Sequence, residues 1–249
     1  MSDPKPLSAD LSQLMATLER LQVKVASIES SADYLERVAD VQAGNDRRAE
    51  RELEELCDER DVPAEPGIRR VSMLQSPPFT PAIQKVQLSM TARAMAQRGL
   101  PRGARQPLVL VLSGPPGCGK TTAMSWATAQ HKRAAAYVPA RVIAGTPRNG
   151  WSENEAKWQR WARVDLLAID ELGTEGGNTE LVGALLSERH DLGGVTLCAT
   201  NCGIATFQAR YCNERLISRL AHGPGWWCEL GDVDLRNPAN RAAMAEVTW

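Results

Sequence analysis

The sequence predicts an α/β fold whose core is a parallel sheet with helices on both faces. Three observations carry that prediction. From Gln106 onward, short apolar runs alternate with helical stretches, the pattern of strand–helix–strand units. A glycine-rich loop, Gly114-Pro115-Pro116-Gly117-Cys118-Gly119-Lys120-Thr121, joins the first apolar run to the first helix. A later apolar run, Leu166-Leu167-Ala168-Ile169, ends in Asp170-Glu171, 50 residues beyond Lys120.

The elements follow in order. Leu108–Leu112 is a continuous apolar run, as expected of a strand buried on both faces. Lys120–His131 is predicted helical, Ala134–Val138 a short strand, Glu153–Arg163 a helix and Val164–Ile169 a strand. A helix over Asn178–His190, a strand over Val195–Thr200, one helix over Ile204–Leu220 and a short strand over Trp226–Leu230 complete the set.

The region ahead of this pattern reads differently. Leu7, Leu11, Leu14, Leu18, Leu21, Val25 and Ile28 step by four and three, and Ala32, Leu35 and Ala39 keep the register. An apolar residue every 3.5 positions predicts a coiled-coil seam, with Asp46–Arg60 as a second helical stretch able to fold back on it. Residues 1–62 are therefore expected to be a helical partner-binding module. Prolines and glycine at Pro63, Pro66, Gly67, Pro77 and Pro78 mark 63–80 as a linker. Residues 81–249, opening on a helix over Pro81–Arg98, are expected to form the α/β domain.

Charge divides the chain along similar lines. Residues 1–65 carry 16 acidic and 8 basic residues, whereas Arg69–Arg163 holds 15 basic residues and two acids, Glu153 and Glu155. A split of this kind suggests two modules with different partners, the basic one suited to a polyanion. The longest apolar runs fall short of the ~20 residues of a membrane span. The N-terminus lacks an apolar signal core, so a cytoplasmic location is expected. Six cysteines with no CxxC pair are expected to be free thiols, and no zinc site is expected.

The loop matches the phosphate-binding pattern GxxxxGK[ST] in full and in the right context. Its glycines let backbone N–H groups approach phosphates at a helix N-terminus. Lys120 is expected to reach the terminal phosphates of ATP and Thr121 to hold Mg²⁺, with Gly114 to Thr122 making up the binding loop. Cys118 and Thr122 within it are expected to pack or face solvent. Asp170 would bind the metal through water, and Glu171 would polarise the attacking water. Asn201 follows the run Val195–Thr200 at a strand's carboxyl end, where ligands sit in open α/β sheets, although a turn-forming Thr-Asn has the same pattern. Arg219 is a candidate arginine finger reaching a neighbouring subunit, and Arg215, one turn earlier, competes with it. On spacing alone each could equally be a surface arginine.

Arg148 and Trp151 in a Gly/Pro loop, with Lys157, Trp158, Arg160, Trp161 and Arg163 on the next helix, interleave cations with aromatic rings. That mixture suits single-stranded DNA, but Trp158 and Trp161, three apart, can equally form a buried helix face.

The order of these pieces resembles the DnaC/IstB branch of the AAA+ ATPases, which includes replicative-helicase loaders and transposition helper ATPases. The matching residues are Gly114–Thr121, Ile169–Gly173, Glu188-Arg189, Ala199-Thr200-Asn201 and Phe207–Tyr211 leading into Glu214–Leu220, within a match over roughly residues 80–240. The resemblance implies an ATPase that assembles as a homo-oligomer on ATP and binds single-stranded or duplex DNA. Its acidic module would engage a replicative helicase or a transposase. Asn201 would be sensor 1, Arg219 the finger and Arg236 sensor 2. About 30 residues follow Arg219, too few for a helical lid, which agrees with a lidless branch. The second acid is Glu171 where loaders often carry Asp, and the N-terminal module lacks the cysteine cluster of some loaders. A small-molecule kinase shares the phosphate loop, but the Asp-Glu pair suits water activation, and turnover without an acceptor would exclude it. A coiled-coil scaffold with a structural nucleotide would show no turnover at all.

Overall fold

The computed structural model describes residues 15, 17, 32–78, 80–101, 104–148, 153–176, 178–212, 214–221, 226–237 and 239–240. The chain divides into two units, Met1–Glu52 and Leu53–Trp249.

In the first unit the seam residues Leu7 to Ile28 lie outside the described residues. Helix α1 runs unbroken over Ala32–Glu59, so the stretch expected over Asp46–Arg60 continues the helix that carries Leu35 and Ala39. Gly44 is too isolated to end a helix rich in Glu, Arg and Ala. Leu35, Val38 and Val41 on it are exposed.

The second unit opens with the end of α1 and the turn behind it. Asp61 takes a positive φ of 57°, which reverses the chain after the helix. Cys57 and Val62 pack with Ala129 in a small cluster of their own. The stretch expected to be a linker contains helix α2 (Pro66–Ser72), which starts on a proline at its first turn. Gln130 and Trp126 donate from α4 (Lys120–Gln130) to the carbonyls of Ser72 and Leu74, each at 2.9 Å. Residues 53–80 therefore belong to the body of the second unit. Helix α3 (Pro81–Arg98) follows, capped by the Thr80 hydroxyl.

The sheet comprises β1 (Leu108–Ser113), β2 (Ala135–Pro139), β3 (Leu166–Leu172), β4 (Val195–Thr200) and β5 (Trp227–Glu229). Its order is β2-β3-β4-β1-β5, with every pairing parallel. The connecting helices are α4, α5 (Ala140–Ala144), α6 (Glu153–Arg163), α7 (Thr179–Asp191), α8 (Ile204–Tyr211) and α9 (Glu214–Ala221). The helix expected over Ile204–Leu220 is thus two, because Cys212 turns extended (φ −112°, ψ 125°).

Alternation along the strands sorts the side chains into two layers. Leu110, Leu112, Tyr137, Ala168 and Leu197 pack on α3 and α4 through Ile83, Val86, Ala123 and Met124. Val111, Val138, Ile169 and Cys198 pack on the opposite layer of α5–α9. Trp158 and Trp161 of α6 belong to that second core, 1% and 5% exposed, so neither ring is free to stack on a base.

Arg189, fully buried on α7, binds this layer to the amino ends of the strands. It donates to the carbonyls of Trp161 (2.6 Å), Val164 (2.9 Å) and Val195 (2.5 Å) and to the Thr196 hydroxyl (2.9 Å). No helix among the described residues is long and apolar enough to cross a membrane.

The unit boundary makes a direct prediction. A chain beginning at Leu53 keeps Cys57, Arg60 and Val62 and melts as a folded domain. A chain beginning at Pro66 loses the Cys57–Val62–Ala129 cluster and melts several degrees lower, ~1–3 kcal/mol less stable. Equal melting temperatures in calorimetry would contradict the boundary.

Candidate nucleotide and metal site

The phosphate loop spans the carboxyl end of β1 and the start of α4, where β1 lies between β4 and β5. Gly117 and Gly119 hold φ of 91° and 89°, a conformation that L side chains rarely adopt. Gly117 also faces the Asp234 carboxylate so closely that a Cβ there would overlap it. Gly119 is the N-cap of α4 and supplies no side chain, so the first amides of the helix have no side-chain cap. An amide-lined helix start of this kind suits an anion.

Lys120 is buried, and its Nζ donates to the carbonyls of Gly114 (2.7 Å) and Pro115 (2.8 Å). Its ammonium is therefore folded onto the loop that it is expected to serve. Pro116 and Gly117 form the turn of the loop. Cys118 is 4% exposed and lies 3.4 Å from Lys120 Nζ. Thr122, half-buried, is the third residue of α4.

The two acids sit where β3 leaves its ladder. Ile169 pairs with Cys198 and Leu172 with Thr200, so one extra residue is inserted between them. This bulge reverses the alternation: Asp170 stays on the α4 side, while Leu172 joins the opposite core. Glu171 carries the strain of the bulge at φ 59°, a conformation uncommon for a residue with a side chain. Asp170 is 5% exposed, yet its carboxylate is well supplied with donors. Its Oδ1 accepts the Glu171 amide at 2.7 Å. Its Oδ2 accepts the Thr121 hydroxyl at 2.7 Å and the Tyr137 hydroxyl as well. Burial, and the Asp170 carboxylate next to it, push the Tyr137 phenol well above its ordinary range, so it remains a donor. Glu171 is half-exposed and pairs with Arg141 of α5. Tyr137 and Arg141 were not singled out by the sequence pattern. The signal for Tyr137 is a hydroxyl-bearing side chain in a strand otherwise made of Ala, Val and Pro.

Thr121 and Asp170 bring a hydroxyl and a carboxylate within hydrogen-bonding distance, so the two oxygens fit Mg²⁺, which takes few protein oxygens and completes its shell with water and phosphate. Among the described residues no cluster of three or more His, Cys, Asp or Glu could form an all-protein metal cage.

The remaining expected residues are more dispersed. Asn201 is exposed just past β4, whose last residue, Thr200, pairs with both Ser113 and Leu172. It therefore stands at the same sheet edge as the loop and the acids. The next loop is held by Glu175, whose carboxylate accepts the Gly173 amide at 2.8 Å and the Tyr211 hydroxyl. Arg215 is exposed near the start of α9. Arg219 lies on the same helix, and its side chain is outside the described residues. Arg236 is exposed in a turn capped by Asp234, and the amide of Leu235 beside it donates to the Gly117 carbonyl at 2.9 Å. The C-terminal segment thus crosses the phosphate loop. Beside that crossing, Pro81, Cys118, Leu230, Val233 and Leu235 line an apolar crevice.

Among the described residues of the basic and aromatic stretch, Arg148, Lys157 and Arg160 are each paired with acids. Arg148 pairs with Glu188 (3.1 Å) and Glu155 (3.5 Å) and lies over the Trp158 ring. Lys157 pairs with Glu153 at 2.9 Å and Arg160 with Asp61 at 3.1 Å. Trp151 lies outside the described residues.

No protein-family model matches the sequence, and no curated protein matches it. Among solved structures, DnaI is 17% identical with a TM-score of 0.45, over 69% of this chain and 89% of that one. Domain III of the replication initiation protein DnaA from Thermotoga maritima is 17% identical with a TM-score of 0.43, over 67% of this chain and 68% of that one. DnaA bound to AMPPCP and single-stranded DNA is 18% identical with a TM-score of 0.41, over 58% of this chain. This chain spans less than half of that protein, 46%. The strand order β2-β3-β4-β1-β5, with the glycine loop after β1 and two acids at the bulged end of β3, is the open parallel sheet of a P-loop fold.

Proposed function

We propose that the chain is an ATP-hydrolysing, DNA-handling AAA+ ATPase of the helicase-loader kind. Its N-terminal helical module would engage a partner protein such as a replicative helicase. The observation that carries this reading is the 2.7 Å bond from Thr121 to Asp170, which joins the phosphate loop to the acid strand. The loop amides and Lys120 bind the phosphates of ATP, and the apolar crevice beside Cys118 and Leu235 takes the base. Thr121 and Asp170 hold Mg²⁺, which supplies charge neutralisation on the transferred phosphoryl group. Glu171 polarises the attacking water, and Asn201 orients it. Leaving its pair with Arg141 frees the Glu171 carboxylate for that role.

The basic excess of residues 69–163 and the DnaC/IstB resemblance support DNA as the polyanion. Single-stranded DNA is the expected substrate, and a preference for duplex would point to a transposition helper with a transposase partner. With Arg219 acting from a neighbouring subunit, the active form is a homo-oligomer.

Two outcomes follow. Glu171→Gln keeps ATP binding and lowers turnover by roughly two orders of magnitude or more, as removal of a catalytic general base does. A wild-type rate in a steady-state phosphate-release assay would move the catalytic role elsewhere. Arg219→Ala keeps ATP binding and loses ~10³-fold or more in turnover, while Lys120→Ala loses productive binding. Mixing the two inactive proteins restores part of the activity, because one interface then contains an intact loop and an intact finger. A defect that mixing does not rescue places the arginine in cis, and the same test on Arg215→Ala decides between the two arginines.

A further inference from the structure

We propose that Tyr137 is the positioning residue of the metal-binding carboxylate, holding Asp170 in the rotamer that receives the cation. The proposal rests on the reading of Thr121 and Asp170 as the metal site.

Strand register places Tyr137 for this task. Tyr137 pairs with Ala168 and Pro139 with Asp170, so Tyr137 stands diagonally from Asp170 on the α4 side of the sheet. Thr121 approaches the same carboxylate from α4. The phenol and the Thr121 hydroxyl converge on one oxygen, Oδ2. A Thr121 oxygen that ligates the metal through a lone pair keeps its proton for Oδ2, and Tyr137 is the second side-chain donor there, the one with no part in the metal shell. A carboxylate that holds a cation through water needs a fixed orientation, which is supplied by donors behind it. Tyr137 is 5% exposed, so exchange with solvent cannot supply that donor in its place. A buried hydroxyl without a partner is costly, and phenylalanine would pack the same space without the cost. The hydroxyl is therefore explained by Asp170.

The backbone of Tyr137 is fixed as firmly as its tip. Its amide donates to the Arg60 carbonyl at 2.7 Å. The Arg60 guanidinium donates to the carbonyls of Thr128 (2.7 Å), Ala129 (3.0 Å) and His131 (2.9 Å), capping the far end of the helix that begins at Lys120. One residue thus sets both β2 and α4, and with them the separation between the Tyr137 and Thr121 hydroxyls.

The test measures binding of a fluorescent, non-hydrolysable ATP analogue to the full chain, by anisotropy, as Mg²⁺ is titrated. Tyr137→Phe keeps metal-free affinity within about twofold of wild type and raises the Mg²⁺ midpoint ~10-fold, the usual loss for a residue that orients a metal ligand. Asp170→Asn is the reference and loses the Mg²⁺-dependent gain. An unchanged midpoint in Tyr137→Phe beside a lost gain in Asp170→Asn overturns the proposal and leaves the site reading standing. An equal loss of affinity with and without Mg²⁺ in Tyr137→Phe also overturns it, since the hydroxyl would then serve only the packing of the loop. Unchanged Mg²⁺ dependence in both variants overturns the site reading, and the proposal with it.

Discussion

The carboxylate of Asp170 is the point on which the rest of the second unit converges. Three groups from three elements meet there: the Thr121 hydroxyl from α4, the Tyr137 hydroxyl from β2 and the Glu171 amide from the bulge of β3. A buried anion is tolerated only when its lone pairs are filled, and here the donors tie the glycine loop's helix to two neighbouring strands. The bulge makes this possible. Without the extra residue, Leu172 would keep the alternation of Ala168 and Asp170 and point toward α4. With it, Leu172 enters the opposite core and Glu171 is turned outward.

Away from that edge, two buried arginines do structural work through backbone carbonyls. Arg189 collects carbonyls from the end of α6 and the starts of β3 and β4. Burial pushes its guanidinium below the ordinary arginine range, yet several carbonyl acceptors and the Asp165 charge nearby hold the proton in place. Arg60 does the same for the last turn of α4. Both fill the orphan acceptors that helix and strand ends leave in an interior. In each case a single side chain sets the relative position of several elements.

Much of this was legible in the sequence, because the strands are continuous apolar runs and the phosphate loop is a contiguous motif. The acid pair was legible for the same reason. What the sequence did not disclose depends on which elements become neighbours. Tyr137 acquires a meaning only once β2 lies beside β3. Arg60 stands in Cys57-Asp58-Glu59-Arg60-Asp61, which reads as solvated helix and folds as a buried cap. Trp158 and Trp161 fit either a DNA-stacking face or a core stripe, and packing against α7 decides for the core. The break at Cys212 has no proline or glycine to announce it. Arg141 lies on the short helix α5, and its pairing with Glu171 follows from the fold rather than from any motif.

The central claim is that ATP and Mg²⁺ occupy the loop between β1 and α4, with the end of β3 at their side. Amide hydrogen exchange followed by peptide mass spectrometry tests it most directly, since the loop amides are the proposed phosphate ligands. Addition of Mg·ATP to the wild-type chain is predicted to slow exchange most strongly over residues 115–122, with a second protected segment around 170–172. Binding of the nucleotide with unchanged exchange over 115–122 would contradict the account.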